Sequence, residues 1–361
     1  MDLLSALPED AFNEIATYLS GKDVLNSSIV CKRWYQMFGQ SKECMKKIAA
    51  KYTNYNRRKD LNILLLSNRK YQNIKLGFQR TYYIRDSKIE ENIRSILKKF
   101  ADTIVTLETS HDFQRICSLP KLKELEFNNT NWNYYTKNAN YFYSNGLMTK
   151  CTDVKKLSIV SPIAIDEISI KIVQKALTNM RNLKLLTVNQ LKLFEYLDLS
   201  ECHFRLEEAD FQSFETVPGM NILQNHQSTL KVIKLNRVHL DEIVLILSAF
   251  PKLHTFHIRH GVFNNIRAID FPQNTSIKNF IMSAYWTNIN HARMIMKLKN
   301  LKHLKVYSLY WRTFCAASHC PEIKTIEYQN MDNNITEDQK TQMANYRRIQ
   351  LIKQPTNHVY T

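Results

Sequence analysis

A chain of 361 residues, 44% hydrophobic and 23% charged, has the length for about two domains and the composition of a globular protein. Six glycines argue against a glycine-rich nucleotide fold, and apolar runs such as Ile243 to Phe250 fall far short of a membrane span. The formal charge of +17 favours acidic partners, nucleic acid or an anionic membrane.

The chain is predicted to begin with three short helices. Pro8 suits a first helical turn, where its missing N–H costs nothing, and Glu9 and Asp10 complement the positive end of the helix dipole. Phe12, Ile15 and Leu19 then make one apolar stripe. Gly21 is expected to stop that helix, with Asp23 capping a second that carries Val24 and Leu25. A third begins near Val30 or Cys31 and carries Trp34 and Phe38. So small a core is close to the limit for folding unaided, and a partner burying the leftover apolar face would stabilise it.

This stretch, LPEDAFNEIATYLSGKDVLNSSIVCKRW, resembles an F-box. Leu7, Pro8, Glu9, Ile15, Tyr18, Leu19, Asp23, Val24, Leu25, Val30, Cys31, Lys32 and Trp34 follow the family pattern. The resemblance spans residues 1–41 and implies docking to the Skp-family adaptor of SCF (Skp–cullin–F-box) ubiquitin ligases. Among the matched residues, Leu7, Pro8, Glu9, Ile15, Tyr18, Leu19, Val24, Leu25, Val30, Cys31 and Trp34 are the expected adaptor contacts. A cullin would follow through the adaptor.

Residues 42–70 read as a helical connector: a basic helix over Cys44 to Tyr52, a polar turn at Asn54 to Lys59, and an apolar helix from Leu61 to Leu66 capped by Asp60. From Arg69 the pattern turns extended, with Ile74, Leu76 and Phe78 alternating as in a half-buried strand. A Leu-x-x-Leu-x-Leu phrase then recurs: Leu122-Leu125-Phe127, Val154-Leu157-Ile159, Leu183-Leu186-Val188, Leu230-Ile233-Leu235, Leu253-Phe256-Ile258, Ile277-Phe280-Met282, Leu301-Leu304-Val306 and Ile323-Ile326-Tyr328. After Leu230 the intervals are 23, 24, 24 and 22 residues, within the range of roughly 20–29 for leucine-rich repeats. The chain as a whole resembles F-box/leucine-rich-repeat proteins. The fold class is therefore α/β: a three-helix F-box followed over residues 71–334 by a curved solenoid, with parallel strands on the concave face and helices or turns on the convex one.

The early intervals are irregular, at 32 and 29 residues, and 47 residues separate Leu183 from Leu230. Phe194-Leu197-Leu199 is a candidate extra strand in that gap. Two insertions break the rhythm. Asn131 to Asn145 is rich in Asn and Tyr and is expected to project from the rim. Ser200 to Ser228 carries five acids against Arg205 alone, and is expected to pair with basic repeats beside it. A C-terminal helix capped by Thr336 and running toward Ile352 should close the solenoid, with a loose tail after it.

No catalytic constellation is present: no phosphate-cradling glycine loop, no serine nucleophile elbow and no His-Glu-x-x-His. Cys315, His319 and Cys320 lack a second ligand pair, so no metal and no cofactor is expected. The F-box resemblance implies a non-catalytic subunit that works by proximity, holding a substrate near a separately recruited conjugating enzyme. The residues alternating with the buried ones should read that substrate. Lys234, His257, Arg259, His303, Lys305 and Tyr307 are the candidates, because residues 230–312 hold 13 Lys/Arg against 3 Asp/Glu. An acidic or phosphorylated segment is the expected ligand. The alternatives are an adaptor-bound scaffold that delivers no ubiquitin, and a nucleic-acid binder drawing on the net charge. An early acidic N-terminus and seven irregularly spaced cysteines point to a chain without a signal peptide, cytoplasmic and/or nuclear.

Overall fold

A computed structural model describes residues 7–53, 57–77, 87–109, 117–127, 147–160, 167–189, 195–212, 216–262, 269–283 and 289–355. The loop Asn131 to Asn145 and the position of Phe78 lie outside the described residues. The chain forms two compact units: Met1–Leu183 with Tyr196–Phe204, and Lys184–Glu195 with Arg205–Thr361.

The first unit opens with α1 (Glu9–Tyr18), α2 (Gly21–Ser27), α3 (Lys32–Gln40) and α4 (Lys42–Met45). Five strands follow: β1 (Ala49–Thr53), β2 (Asn73–Gly77), β3 (Thr106–Thr109), β4 (Glu124–Phe127) and β5 (Lys156–Ile159). They pair in sequence order, all parallel. Between and after them run α5 (Arg57–Leu66), α6 (Ser87–Phe100), α7 (Leu147–Lys150) and α8 (Glu167–Asn179), with α5 against α6 and α7 against α8. Each strand sends alternate side chains inward. Ile74 and Leu76, Leu107 and Thr109, Leu125 and Phe127, and Leu157 and Ile159 are all buried.

The basic helix expected over Cys44 to Tyr52 is corrected: α4 ends at Met45 and Ala49–Thr53 is a strand. Alanine and lysine are good helix formers, but intrinsic propensity is a small term that tertiary packing overrides here. Ala50 and Tyr52 face the interior opposite Ile74 and Leu76, and the Tyr52 hydroxyl accepts a hydrogen bond from Asn92 at 3.2 Å. Parallel pairing thus starts at Ala49 rather than near residue 71. α5 starts at Arg57, so Asp60 lies within the helix rather than capping it. The strand β3 was not foreseen, because Thr109 occupies a core position where the repeat phrase calls for an aliphatic residue.

The second unit contains β6 (Leu185–Val188), β7 (Glu208–Phe211), α9 (Thr216–Asn225), β8 (Val232–Leu235), β9 (Val238–His239) and α10 (Leu240–Ala249). After these come β10 (Thr255–Ile258), β11 (Gly261–Val262), β12 (Asn279–Met282), α11 (Ile289–Met296), β13 (His303–Leu309), α12 (Trp311–Ser318), β14 (Thr325–Met331), α13 (Glu337–Asn345) and β15 (Gln350–Lys353). The sheet runs β6-β7-β8-β10-β12-β13-β14-β15, parallel throughout, while β9 and β11 pair separately. Its register stacks one buried residue on the next. Leu186, Ala209, Ile233, Phe256, Phe280, Leu304 and Ile326 form one such row. Within it the Phe256 and Phe280 rings lie 5.8 Å apart between centroids.

Strand β7 removes the apparent gap between Leu183 and Leu230. Leu206, Ala209 and Phe211 are buried and follow the same phrase, so the intervals become 23 and 24 residues. Alanine in place of the middle leucine, flanked by Glu207, Glu208 and Asp210, hid the repeat. Phe194 lies outside the described residues, and the rest of the proposed strand at Phe194-Leu197-Leu199 is not one: Leu199–Glu201 is a short 3-10 turn whose cap, Asp198, accepts from the Ser200 amide at 2.9 Å. The C-terminal helix is capped by Thr336 as expected, with Gln339 reciprocating, but it ends at Asn345 and β15 follows it. α10 starts at Leu240, where the Glu242 carboxylate accepts from the His239 amide at 2.7 Å and Asp241 adds negative charge to the first turn.

Candidate functional site

Two surfaces carry the candidate residues: the N-terminal helices of the first unit and the outward face of the sheet in the second.

The helical module has a core of only a few side chains. Phe12 and Ala16 of α1, Val24 of α2 and Phe38 of α3 are buried, and the Phe12 and Phe38 rings meet edge to face at 5.1 Å. Trp34, half-buried, tilts onto Phe38 at 6.0 Å. The entry to α2 differs from the sequence reading. Ser20 is the cap, its hydroxyl accepting from the Asp23 amide at 3.2 Å, while the Asp23 carboxylate accepts from the Ser20 amide at 3.0 Å. These bonds to Ser20, hydroxyl first, hold the Asp23 carboxyl below its usual range. Gly21 opens α2 instead of ending α1, and it is needed there: a Cβ would lie 2.6 Å from the Lys47 carbonyl oxygen. The Lys47 ammonium closes the other end, donating to the carbonyls of Ala16 at 2.8 Å, Thr17 at 2.6 Å and Leu19 at 2.5 Å. A cation there complements the negative end of α1.

Arg69, in the segment between α5 and β2, holds the module to the first strands. Its guanidinium donates to the Ser28 hydroxyl at 2.6 Å and lies 4.9 Å from the Tyr35 ring centroid. Gln40 donates to the Asn68 carbonyl at 2.8 Å, and the Lys70 amide to the Gly39 carbonyl at 3.0 Å. Sequence reasoning did not single out Arg69, because nothing local marks an arginine that acts 41 residues away from its partner.

What the core leaves out is apolar. Tyr18 is 81% exposed, Ile29 80%, Val30 63%, Leu25 43% and Ile15 41%. Helical periodicity put Ile15 on one stripe with Phe12, but Ile15 points outward while Phe12 points in. Of the other expected docking residues, Pro8, Glu9 and Cys31 are exposed, and Leu7, Leu19 and Trp34 are half-buried. Val24 is a correction: it is wholly buried in the module core and offers no surface to a partner.

On the second unit, Lys234, His257, Lys305 and their neighbours do face outward, since they alternate with buried residues. They do not form an open basic track. Lys234 donates to Glu208 at 2.5 Å, and Arg259 grips Asp210 with two bonds of 2.7 and 2.9 Å. Lys305 lies 3.5 Å from Glu327. His257 shares a 2.8 Å hydrogen bond with the Ser283 hydroxyl, and His303 one of 2.7 Å with Thr325. Burial, aided by Arg259, pushes the His257 pKa down to about 4, so that ring is neutral near pH 7. Tyr307 lies on β13 in the same face, half-buried. The acids of β7 therefore pair with the basic repeats, as the charge count of residues 200–228 suggested, and leave this face close to neutral.

Cys320 is buried, and its thiol donates to the Ile295 carbonyl at 3.3 Å. Burial pushes its pKa up to about 11. Among the described residues no group of three His, Cys, Asp or Glu side chains is placed to hold a metal ion, and no helix is long and apolar enough to cross a membrane.

Residues 4–44 match the F-box domain family model. No curated protein sequence matches the chain. A leucine-rich-repeat protein of Leptospira interrogans aligns in structure over 85% of this chain and 83% of that one, at 12% identity and a TM-score of 0.33.

Proposed function

We propose that this chain, an F-box domain joined to leucine-rich-repeat units, is the substrate-recognition subunit of an SCF-type ubiquitin ligase. The observation that carries the reading is the exposed apolar set Ile15, Tyr18 and Leu25 on α1 and α2 with Ile29 and Val30 in the turn before α3, all within the stretch matching the F-box model. A core as small as Phe12, Ala16, Val24 and Phe38 gains stability when that surface is covered. The occupant is a Skp-family adaptor, with a cullin recruited through it.

In this reading the repeats hold a protein substrate and the chain performs no bond chemistry itself. Tethering a substrate beside a charged conjugating enzyme raises its effective concentration, which is where the rate gain arises. The setting is the cytoplasm or nucleus.

Tyr18 and Val30 test the proposal without touching the core. The Tyr18→Asp/Val30→Asp chain is expected to lose at least about tenfold in adaptor affinity, about 1.4 kcal/mol, with an unchanged melting temperature. Undiminished adaptor binding would overturn the docking assignment. If the adaptor binds but a reconstituted ligase modifies no co-purified protein, the chain is an adaptor-bound scaffold instead.

A further inference from the structure

The residues immediately before β6, β7, β8, β10, β12, β13 and β14 occupy one register position and form a backbone ladder. The Glu207 amide donates to the Lys184 carbonyl at 2.7 Å, Lys231 to Glu207 at 2.8 Å, and His254 to Lys231 at 2.9 Å. The series continues from Lys278 to His254 at 2.9 Å, Lys302 to Lys278 at 2.8 Å, and Lys324 to Lys302 at 2.8 Å. Seven rungs therefore line the edge where the strands begin, about 4.8 Å apart as neighbouring strands are. Five are lysines.

The two ends of the ladder differ in charge. At the first end Glu207 stands between Lys184 and Lys231, and its carboxylate bonds both ammoniums, at 2.5 and 2.7 Å. Those bonds, Lys184 first, pull the Glu207 pKa down to about 2. At the other end Lys278, Lys302 and Lys324 follow one another on adjacent strands, and none has an ion pair among the described residues. Lys278 and Lys324 are exposed and Lys302 is half-exposed. Like charges side by side in a sheet are destabilising, so the arrangement costs the fold something.

We propose that Lys278, Lys302 and Lys324 are a recognition edge for a run of aspartates and glutamates on the protein substrate. The assignment rests on the substrate-receptor reading above and names the substrate's chemistry. Glu207 supplies the internal template: a carboxylate at this edge engages two ladder lysines at once. A partner's carboxylates set across the Lys278–Lys302 and Lys302–Lys324 steps repeat that geometry, and charge-assisted bonds of this kind are the stronger ones. A protein carboxylate is favoured over a nucleic-acid strand because the three rungs of this edge are all lysines, and the ladder holds no phenylalanine, tyrosine or tryptophan on which a base could stack. The outward sheet face is a poorer site for the same ligand, since Lys234, Arg259 and Lys305 are already engaged by Glu208, Asp210 and Glu327.

The test measures binding of a fluorescent poly-glutamate peptide to the full chain by anisotropy, at low and at physiological salt. The Lys278→Glu/Lys302→Glu/Lys324→Glu chain is expected to lose at least about tenfold in affinity. A control with the same charge change, Lys98→Glu/Lys121→Glu/Lys175→Glu, uses exposed lysines of the first unit and is expected to bind as wild type does. The neutral Lys278→Gln/Lys302→Gln/Lys324→Gln chain guards against misfolding: it should lose binding while melting no earlier than wild type. Equal losses in the edge and control chains overturn the proposal, as does a wild-type chain that ignores poly-glutamate. Tighter binding of a polyuridylate strand of equal charge through the same lysines would also overturn it, in favour of nucleic acid. Adaptor capture is scored separately and should survive in the edge variants. Its failure in wild type would sink the ligase reading while leaving the poly-glutamate result to stand or fall alone.

Discussion

The helical module and the second repeat unit solve the burial problem in opposite ways. The module buries Phe12, Ala16, Val24 and Phe38 and leaves Tyr18, Ile29 and Val30 in solvent. The second unit stacks an unbroken row of apolar side chains from Leu186 to Ile326, and exposes charge instead. Part of that charge is neutralised within the unit, where Glu207, Glu208, Asp210 and Glu327 pair with Lys184, Lys231, Lys234, Arg259 and Lys305. The difference teaches where to look for function: at the surplus each region leaves unpaired, apolar in the module and cationic along Lys278, Lys302 and Lys324.

If the contrast is right, the largest effect belongs to the stacked row. Phe280→Ala should cost about 3–5 kcal/mol in denaturant unfolding, because the cavity lies in a fully packed row beside Phe256. Tyr18→Ser in the module should change stability by no more than about 0.5 kcal/mol, as exposed positions do. Comparable costs at the two sites would break the comparison.

A middling effect is expected at the joint between helices and strands. Arg69→Ala removes the Ser28 bond and the contact with Tyr35, for a loss of about 2 kcal/mol. Hydrogen exchange should show α3 losing protection while β12 and β13 keep theirs. Uniform loss across both regions would mean that Arg69 supports the whole chain rather than the module.

The smallest effect sharpens the electrostatic side. Burial, with Arg205 adding to it, lowers the His226 pKa to about 4, and burial with Arg259 does the same for His257. Unfolded, both imidazoles titrate near about 6.5. Between those values the unfolded chain binds more protons, so stability present above about pH 6.5 declines as the pH falls toward 4. Thermal melts should shift down by a few degrees from about pH 7.5 to about pH 5, and His226→Gln/His257→Gln should flatten that slope. An unchanged slope in the double variant would place the pH sensitivity elsewhere.

Much of this was legible in the residues themselves. Leu7 to Trp34 announced the helical module, and the recurring phrases from Leu230 to Tyr328 marked strands whose buried and outward positions hold in register. Thr336 announced its helix. Where reading failed, a local preference was overruled. Ala49 to Thr53 looks helical until Tyr52 is packed opposite Leu76, and Ala209 looks too small for a repeat until its larger neighbours fill the row. Ile15 shares a periodicity with Phe12, yet only packing says which of them turns inward.

By itself the sequence determined the alternation and the spacing, because strand period and helix caps are set by residues within a few positions of one another. Only the tertiary structure decided which charges cancel. Arg259 meets Asp210 across 49 positions of chain, and Lys302 stands between Lys278 and Lys324 only once three strands lie side by side. Coulombic pairing depends on distance in space, and folding alone sets that distance.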